Sequence, residues 1–172
     1  MKKLVIIFST LFLGLVVFSC KKVSNPTPGP PVISFKDFRV VKETEAYFHF
    51  NFTDPDGDIG LKNEDTTGAF AFGSPYYFDF HMRLQIKSYL GNWADTMIQE
   101  PFTNIMDSLD FNYRIPFIDT KSKDKSLTGE IYVAMTGYRF SSTIKKFRYK
   151  FYIYDRAHNK SNVVFTPEFN YP

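Results

Sequence analysis

The chain has 172 residues, 44% of them hydrophobic and 19% aromatic, with 21 Lys and Arg against 18 Asp and Glu. This length suits one domain with a sizeable core, and the near balance of charge gives no support to nucleic-acid binding. Abundant Phe and Tyr favour strands over helices, and the single cysteine excludes an intramolecular disulfide.

Residues 1–19 are predicted to be a lipoprotein signal peptide. Lys2 and Lys3 form a positive start, and residues 4–18 are an apolar run that is short for a membrane span. The run ends in Val-Phe-Ser-Cys, which resembles the lipobox of bacterial lipoproteins, with a phenylalanine bulkier than the usual occupant. That resemblance implies cleavage before Cys20 and a covalent lipid on Cys20. The alternative is an ordinary secretory signal with an incidental cysteine.

Residues 20–31 are predicted to be the lipidated cysteine and a proline-rich tether. The sequence KKVSNPTPGPP excludes a helix and disfavours strand pairing, so it favours an extended spacer. Two or more acyl chains would anchor such a protein stably. Without the two lysines of the leader, the chain carries 19 basic and 18 acidic residues, so its net charge falls from +3 to +1.

Alternating apolar and polar residues predict strands in the remaining domain, residues 32–172. Residues 32–42 change parity at Lys36, which predicts a bulge there. Residues 46–53 place three phenylalanines inward and His49 outward. Strands are also predicted at residues 78–86, 93–98, 111–117, 127–135, 147–155 and 163–169. Residues 61–77 are predicted to be a long loop.

Two further features qualify this pattern. Pro116 predicts that the strand at residues 111–117 lies at a sheet edge, and residues 99–110 have no clear period, which leaves room for a short helix. About seven or eight strands without a long helix predict an all-β fold, a single antiparallel immunoglobulin-like β-sandwich.

Two loops carry a family resemblance. Residues 52–61 (FTDPDGDIGL) and 154–162 (YDRAHNKSN) resemble a family of uncharacterised Bacteroidota lipoproteins. The second loop is also similar to the Asp-x-Ala-Gly-Asn-x-Ser turn of many bacterial immunoglobulin-like domains, with His158 in place of glycine. We therefore expect the positive-φ residue of this turn elsewhere, at Asn159. The resemblance implies an immunoglobulin-like fold and an envelope location, but no activity.

The first of these loops is the most chemically marked stretch of the chain. Asp54, Asp56 and Asp58 alternate along it, and carboxylates are the hard oxygen ligands that suit calcium. The loop is not an EF-hand, because Ile59 and Asp65 stand where that motif needs glycine and glutamate.

The second loop supplies a fourth acid. In an immunoglobulin-like sandwich the two loops lie at the same end, so Asp155 is expected to face the three aspartates and complete a calcium site. Two alternatives remain open: a plain turn, to which Asp, Pro and Gly are suited, or neutralisation of the acids by Arg156 without an ion.

Catalytic signals are weak. The three histidines, His49, His81 and His158, lack the spacing of a zinc site, and no Gly-x-Ser-x-Gly motif is present. We therefore do not expect an enzyme.

Binding has more support. Tyr47, Tyr132, Tyr152 and Tyr154 lie at outward parity beside Lys and Arg, and outward aromatics can stack on sugars or anchor partner proteins. The alternative is that tyrosine simply favours half-exposed strands, or that residues 62–77 or 99–110 cover these side chains.

The sequence thus predicts an outer-membrane lipoprotein that acts as a binding or structural module. Its expected partners are the membrane, through the anchor, and an envelope protein or a glycan, but no nucleic acid. A periplasm-facing orientation is favoured, because the acidic patch that follows the cysteine in some surface-exported relatives is missing. The alternative function is a glycan- or peptide-binding component of an outer-membrane nutrient-uptake system.

Overall fold

The structure, a computed structural model, describes residues 28–42, 44–99, 105–119, 126–138 and 146–170. The predicted signal peptide, Cys20 and the tether as far as residue 27 lie outside the described residues. Residues 28–31 have no regular secondary structure, and the first strand begins at Val32. Among the described residues, no helix is long and apolar enough to cross a membrane.

The described chain forms strands and one short 3-10 turn, Gly68–Phe70. The strands are β1 (Val32–Lys42), β2 (Glu45–Asp54), β3 (Phe80–Lys87), β4 (Trp93–Asp95), β5 (Met97–Gln99), β6 (Met106–Ser108), β7 (Asp110–Tyr113), β8 (Leu127–Thr136), β9 (Lys146–Ile153), β10 (Val164–Phe165) and β11 (Phe169–Asn170). The predicted all-β fold is confirmed, and the strand count exceeds the prediction because five of these strands have only two or three residues.

Two antiparallel sheets face each other. The first sheet has the order β1-β2-β8, and the second has the order β10-β9-β3-β4, with β11 also paired to β9 and β7 also paired to β3. Strands β5 and β6 form a separate two-stranded ribbon. In immunoglobulin nomenclature the first sheet is A-B-E and the second is G-F-C-C′. The loops that follow β2 and β9 therefore leave the sandwich at the same end.

The core is built from the inward side of this alternation. Phe48 and Phe50 of β2 are fully buried and pack against Phe80 of β3 and Phe151 of β9. The rings of Phe50 and Phe80 stack at 5.2 Å, and those of Phe48 and Phe151 meet edge to face at 4.9 Å. Each such side chain contributes about 1.5–3 kcal/mol by burial, so the aromatic-rich composition supplies the inter-sheet core.

Several predicted details are confirmed or corrected by the pairing. The bulge in β1 is present, since the β1–β2 register shifts between Phe35 and Asp37. The arm predicted at residues 93–98 is divided: only β4 pairs with β3, while β5 pairs with β6. The edge of β3 is shared, because β7 occupies its first half and β4 its second.

The short helix that residues 99–110 left room for is absent from their described part. Gln99 ends β5, β6 lies within residues 105–110 and β7 begins at Asp110, while residues 100–104 lie outside the described residues.

The last predicted strand, residues 163–169, is also divided. Pro167 lacks a backbone N–H, and the hydroxyl of Thr166 accepts the Tyr149 N–H at 3.0 Å in place of a ladder carbonyl. Two short strands therefore stand on either side of Thr166–Glu168.

Candidate metal site and aromatic faces

The loop after β2 and the loop after β9 pair with each other. Ile59 and Asp155 form an antiparallel bridge, and the Arg156 N–H donates to the Asp58 carbonyl at 3.3 Å. This pairing brings the two loops singled out from the sequence into direct contact, as predicted.

Four carboxylates converge where the loops meet. Asp54, Asp56, Asp58 and Asp155 each offer one oxygen, and these four oxygens lie within 4.8 Å of one another. Asp54 and Asp155 are buried, whereas Asp56 and Asp58 are half-buried. We call these four residues the aspartate cluster; it is the set of residues that the sequence predicted as metal ligands.

Two of these carboxylates accept a backbone hydrogen bond through only one of their two oxygens. The Oδ2 atom of Asp54 accepts the Ile59 N–H at 2.9 Å, and Oδ2 of Asp58 accepts the Ala157 N–H at 3.0 Å. The Oδ1 atoms of Asp54, Asp56 and Asp58 are buried and have no hydrogen-bond partner. Metal-binding carboxylates have this arrangement, in which a backbone donor orients one oxygen and leaves the other for the ion.

Asp155 is held more firmly. Its Oδ1 accepts the Asn159 N–H at 2.7 Å, and its Oδ2 accepts the Asn159 side-chain amide at 2.8 Å. A carboxylate oxygen has more than one lone pair, so these bonds fix its orientation without exhausting its capacity as a ligand.

The electrostatics of the cluster favour a cation. Burial, and then the neighbouring Asp56, raise the pKa of Asp54 to about 7. Burial also raises the pKa of Asp58, with a further contribution from Asp155, and it raises the pKa of Asp155. Ionising these acids together is therefore unfavourable without a counter-charge, and a bound cation would supply it.

The donor set indicates which class of metal the cluster could bind. All four side chains offer oxygen, which suits hard cations rather than zinc, for which histidine and cysteine are the usual ligands. A groove of about 270 Å³, lined in part by Asp56, Asp58 and Arg156, opens beside the cluster and gives an ion access.

Arg156 is not paired with the aspartate cluster, as neutralisation of these acids without an ion would require. Its guanidinium pairs with Asp65, through a short contact to Oδ2 and a second contact to Oδ1 at 3.3 Å. That bond lowers the pKa of Asp65, while Asp58 adds only a smaller attraction for the guanidinium. Sequence reasoning missed this partner because Asp65 lies in the long loop, where no periodicity places it.

Two glycines allow the acidic loop to turn. Gly57 and Gly60 both have positive φ, at 65° and 89°. A Cβ on Gly60 would lie 2.5 Å from the Pro116 carbonyl oxygen, so the loop can only approach this segment with glycine there.

The expected positive φ at Asn159 is wrong, because His158 itself adopts φ 67°. The imidazole stacks on Tyr76 at 4.1 Å and lies 5.3 Å from the ring of Phe70. These contacts hold a conformation that is otherwise costly for a side chain other than glycine.

The four predicted binding tyrosines do not share one surface. Tyr47 and Tyr132 are exposed on the first sheet, whereas Tyr152 and Tyr154 lie half-buried on the outer face of the second sheet and just beyond it. Tyr154 is covered by Tyr76 of the long loop, with ring centroids 5.0 Å apart, as the covering alternative proposed. The ring of Tyr152 lies beneath the Lys160 ammonium at 3.6 Å.

His49 has the outward parity predicted for it but is not exposed. Only 6% of the residue is accessible, because the ring of Tyr132 stacks on its imidazole at 3.7 Å. The alternation of the sequence placed both side chains on the outer face, but it could not predict that they would stack on each other across neighbouring strands.

Comparison with protein-family models and with curated proteins finds no match to this sequence. The family resemblance of the two loops therefore stays an expectation.

Proposed function

We propose that this protein is a lipid-anchored module of the cell envelope, and that calcium joins the two loops at the tether end of its β-sandwich. The observation that carries the proposal is the aspartate cluster: four carboxylates within 4.8 Å, with three buried oxygens that lack partners.

Calcium is the cation that best suits this arrangement. It takes about 6–8 oxygens in flexible geometry, so four carboxylates with backbone carbonyls or water could complete its shell. Magnesium demands a stricter octahedron and prefers to keep its own water, which suits a partly buried cluster less well. With calcium bound, these residues would hold the two loops in one fixed arrangement.

The position of the cluster links it to the anchor. Val32, the first residue of β1, pairs with Thr53, directly before Asp54. The side chain of Asn162, in the loop after β9, bonds to both backbone groups of Ile33, accepting from its N–H at 2.8 Å and donating to its carbonyl at 2.9 Å. The loop that supplies Asp155 is therefore hydrogen-bonded to the start of β1, where the tether enters the domain.

The envelope location rests on the leader. The signal-like run, the lipobox-like residues before Cys20 and the proline-rich tether support export and lipidation. The resemblance of the two loops supports an outer-membrane location, and the lack of an acidic patch directly after Cys20 favours a periplasm-facing orientation. The role proposed for a module held in this way is to bind or to support other envelope components.

The test is thermal melting of the purified protein in chelator and in rising calcium, with magnesium as the comparator. Calcium that binds only the folded state stabilises it by about 2.7 kcal/mol at 100 times its Kd. We expect the midpoint to rise with calcium and to rise much less with magnesium. A midpoint that is indifferent to calcium up to the millimolar range would refute the proposal.

A further inference from the structure

The outer face of the first sheet carries a groove of about 450 Å³. Its lining side chains are Asp37, Arg39, Tyr47, His49 and Tyr132. The strand register arranges them in two rows across the sheet, Asp37–His49–Tyr132 and Arg39–Tyr47–Ala134. His49 lies five residues before Asp54 on β2, about 17 Å along the strand, so the groove is separate from the aspartate cluster.

Tyr132 forms a flat platform in this groove. One face of its ring lies on the imidazole of His49, while 63% of the residue is exposed. Glu130 fixes the pair, since its Oε2 lies 3.0 Å from the His49 Nε2 and accepts the Tyr132 hydroxyl at 3.3 Å. A ring held in this way loses little freedom when a ligand stacks on its open face.

Two exposed polar side chains, Asp37 and Arg39, lie beside the platform. Among the described residues neither forms a hydrogen bond or a close ion pair, and Asp37 only adds an electrostatic attraction for the Lys36 ammonium. Arg39 offers a planar fork of donors, Asp37 offers acceptors, and the phenol of Tyr47 lies in the same row as Arg39.

The groove is close to electrically neutral. Asp37 and Arg39 balance each other, and Glu130 forms an ion pair with Lys36. A neutral groove has no electrostatic preference for nucleic acid, phosphate or acidic peptides.

We propose that this groove binds a neutral glycan. The C–H-bearing face of a hexopyranose ring is apolar and would stack on Tyr132, while its hydroxyls would bond to Arg39, Asp37 and Tyr47. This proposal assigns a ligand class to the binding role proposed above and rests on that role. It does not depend on calcium binding or on lipidation. Glycan binding can therefore fail while calcium binding and lipidation hold, and the reverse is also true.

The experiment screens the purified full-length protein against neutral oligosaccharides of glucose, mannose and galactose, with uronic-acid oligosaccharides as charged comparators. Binding is then titrated with the wild type and with Tyr132→Ala, Tyr132→Phe and Arg39→Ala. The matched control is Tyr89→Ala, since Tyr89 is 95% exposed in the turn between β3 and β4 of the other sheet. Melting midpoints confirm that each variant is folded.

We expect a neutral oligosaccharide to bind in chelator and in calcium alike. Tyr132→Ala and Arg39→Ala should each weaken its Kd by about tenfold or more, while Tyr132→Phe keeps the stacking face and should stay within about threefold. Tyr89→Ala should bind like the wild type. Failure of every neutral sugar to bind, a preference for uronic acids, or binding that survives Tyr132→Ala would each overturn the proposal.

Discussion

Asp54→Asn should stabilise the protein in chelator and make it less stable than the wild type in calcium. Asparagine keeps the shape of the side chain and an oxygen that can accept the Ile59 N–H, a bond of 2.9 Å in the wild type. Its amide can also donate towards the partnerless Oδ1 of Asp56. The substitution thus removes a buried charge from the metal-free protein, but it also removes a calcium ligand.

The magnitude follows from the pKa of Asp54, which is raised from 3.8 to about 7 by burial and by Asp56. At about 1.4 kcal/mol for each pKa unit, ionising this carboxyl at pH 7 costs the folded protein on the order of 4 kcal/mol. Asparagine still has to bury a polar amide, so we expect about half of this as a net gain in chelator. For a domain of this size, about 2 kcal/mol corresponds to about 6 °C in the melting midpoint.

The assay is thermal melting at pH 7 of the wild type and Asp54→Asn, each in chelator and in millimolar calcium. The variant should melt higher than the wild type in chelator and should not respond to calcium. The matched control is Asp79→Asn. Asp79 is also buried, has a partnerless Oδ2 and a pKa raised to about 7 by burial, but does not belong to the aspartate cluster.

Asp79→Asn should shift the midpoint equally in chelator and in calcium. If Asp54→Asn lowered the midpoint in chelator, the aspartate cluster would not be under the charge strain inferred for it. If the variant kept the full calcium response, Asp54 would not be a ligand.

Three further outcomes follow. In chelator, stability should fall as pH rises from about 4 to about 7, because Asp79, Asp54, Asp58 and Asp155 all have a raised pKa and so bind protons more tightly in the folded state than in the unfolded state. Calcium should cancel the share of the aspartate cluster and leave that of Asp79; melts across this range that stay flat in chelator would contradict this sign. Cys20→Ala should release the protein from membranes, and a variant that still pellets after a high-salt wash would refute lipidation. His158→Ala should be less stable than His158→Gly by about 1 kcal/mol, because both lose the stacking on Tyr76 but only glycine relieves the positive φ; equal midpoints would contradict a strained backbone.

Sequence periodicity predicted the long strands well because burial imposes it. The runs that became β2, β3, β8 and β9 alternate clearly, and β1 does so on either side of its bulge. The core phenylalanines of β2 are buried as their parity required. The short strands were harder to place, since two or three residues carry no measurable period. Their pairing depends on tertiary contacts, as at the edge of β3 that β4 and β7 share.

The aspartate cluster was predictable because topology brings two recognisable loops together. Once the strands before Asp54 and Asp155 were assigned to one end of a sandwich, their proximity followed. The partner of Arg156 was not predictable, because Asp65 lies in a loop whose path depends on tertiary contacts. The burial of His49 was not predictable either, because the Tyr132 ring that covers it lies on the neighbouring strand.

Equilibrium dialysis of the chelator-treated protein against radioactive calcium tests the central claim most directly. The aspartate cluster predicts saturable binding of one ion per chain in the wild type, and loss of that ion in Asp58→Asn, whose Oδ1 is buried without a partner. No bound calcium at millimolar concentration, or equal binding by the wild type and Asp58→Asn, would contradict the claim.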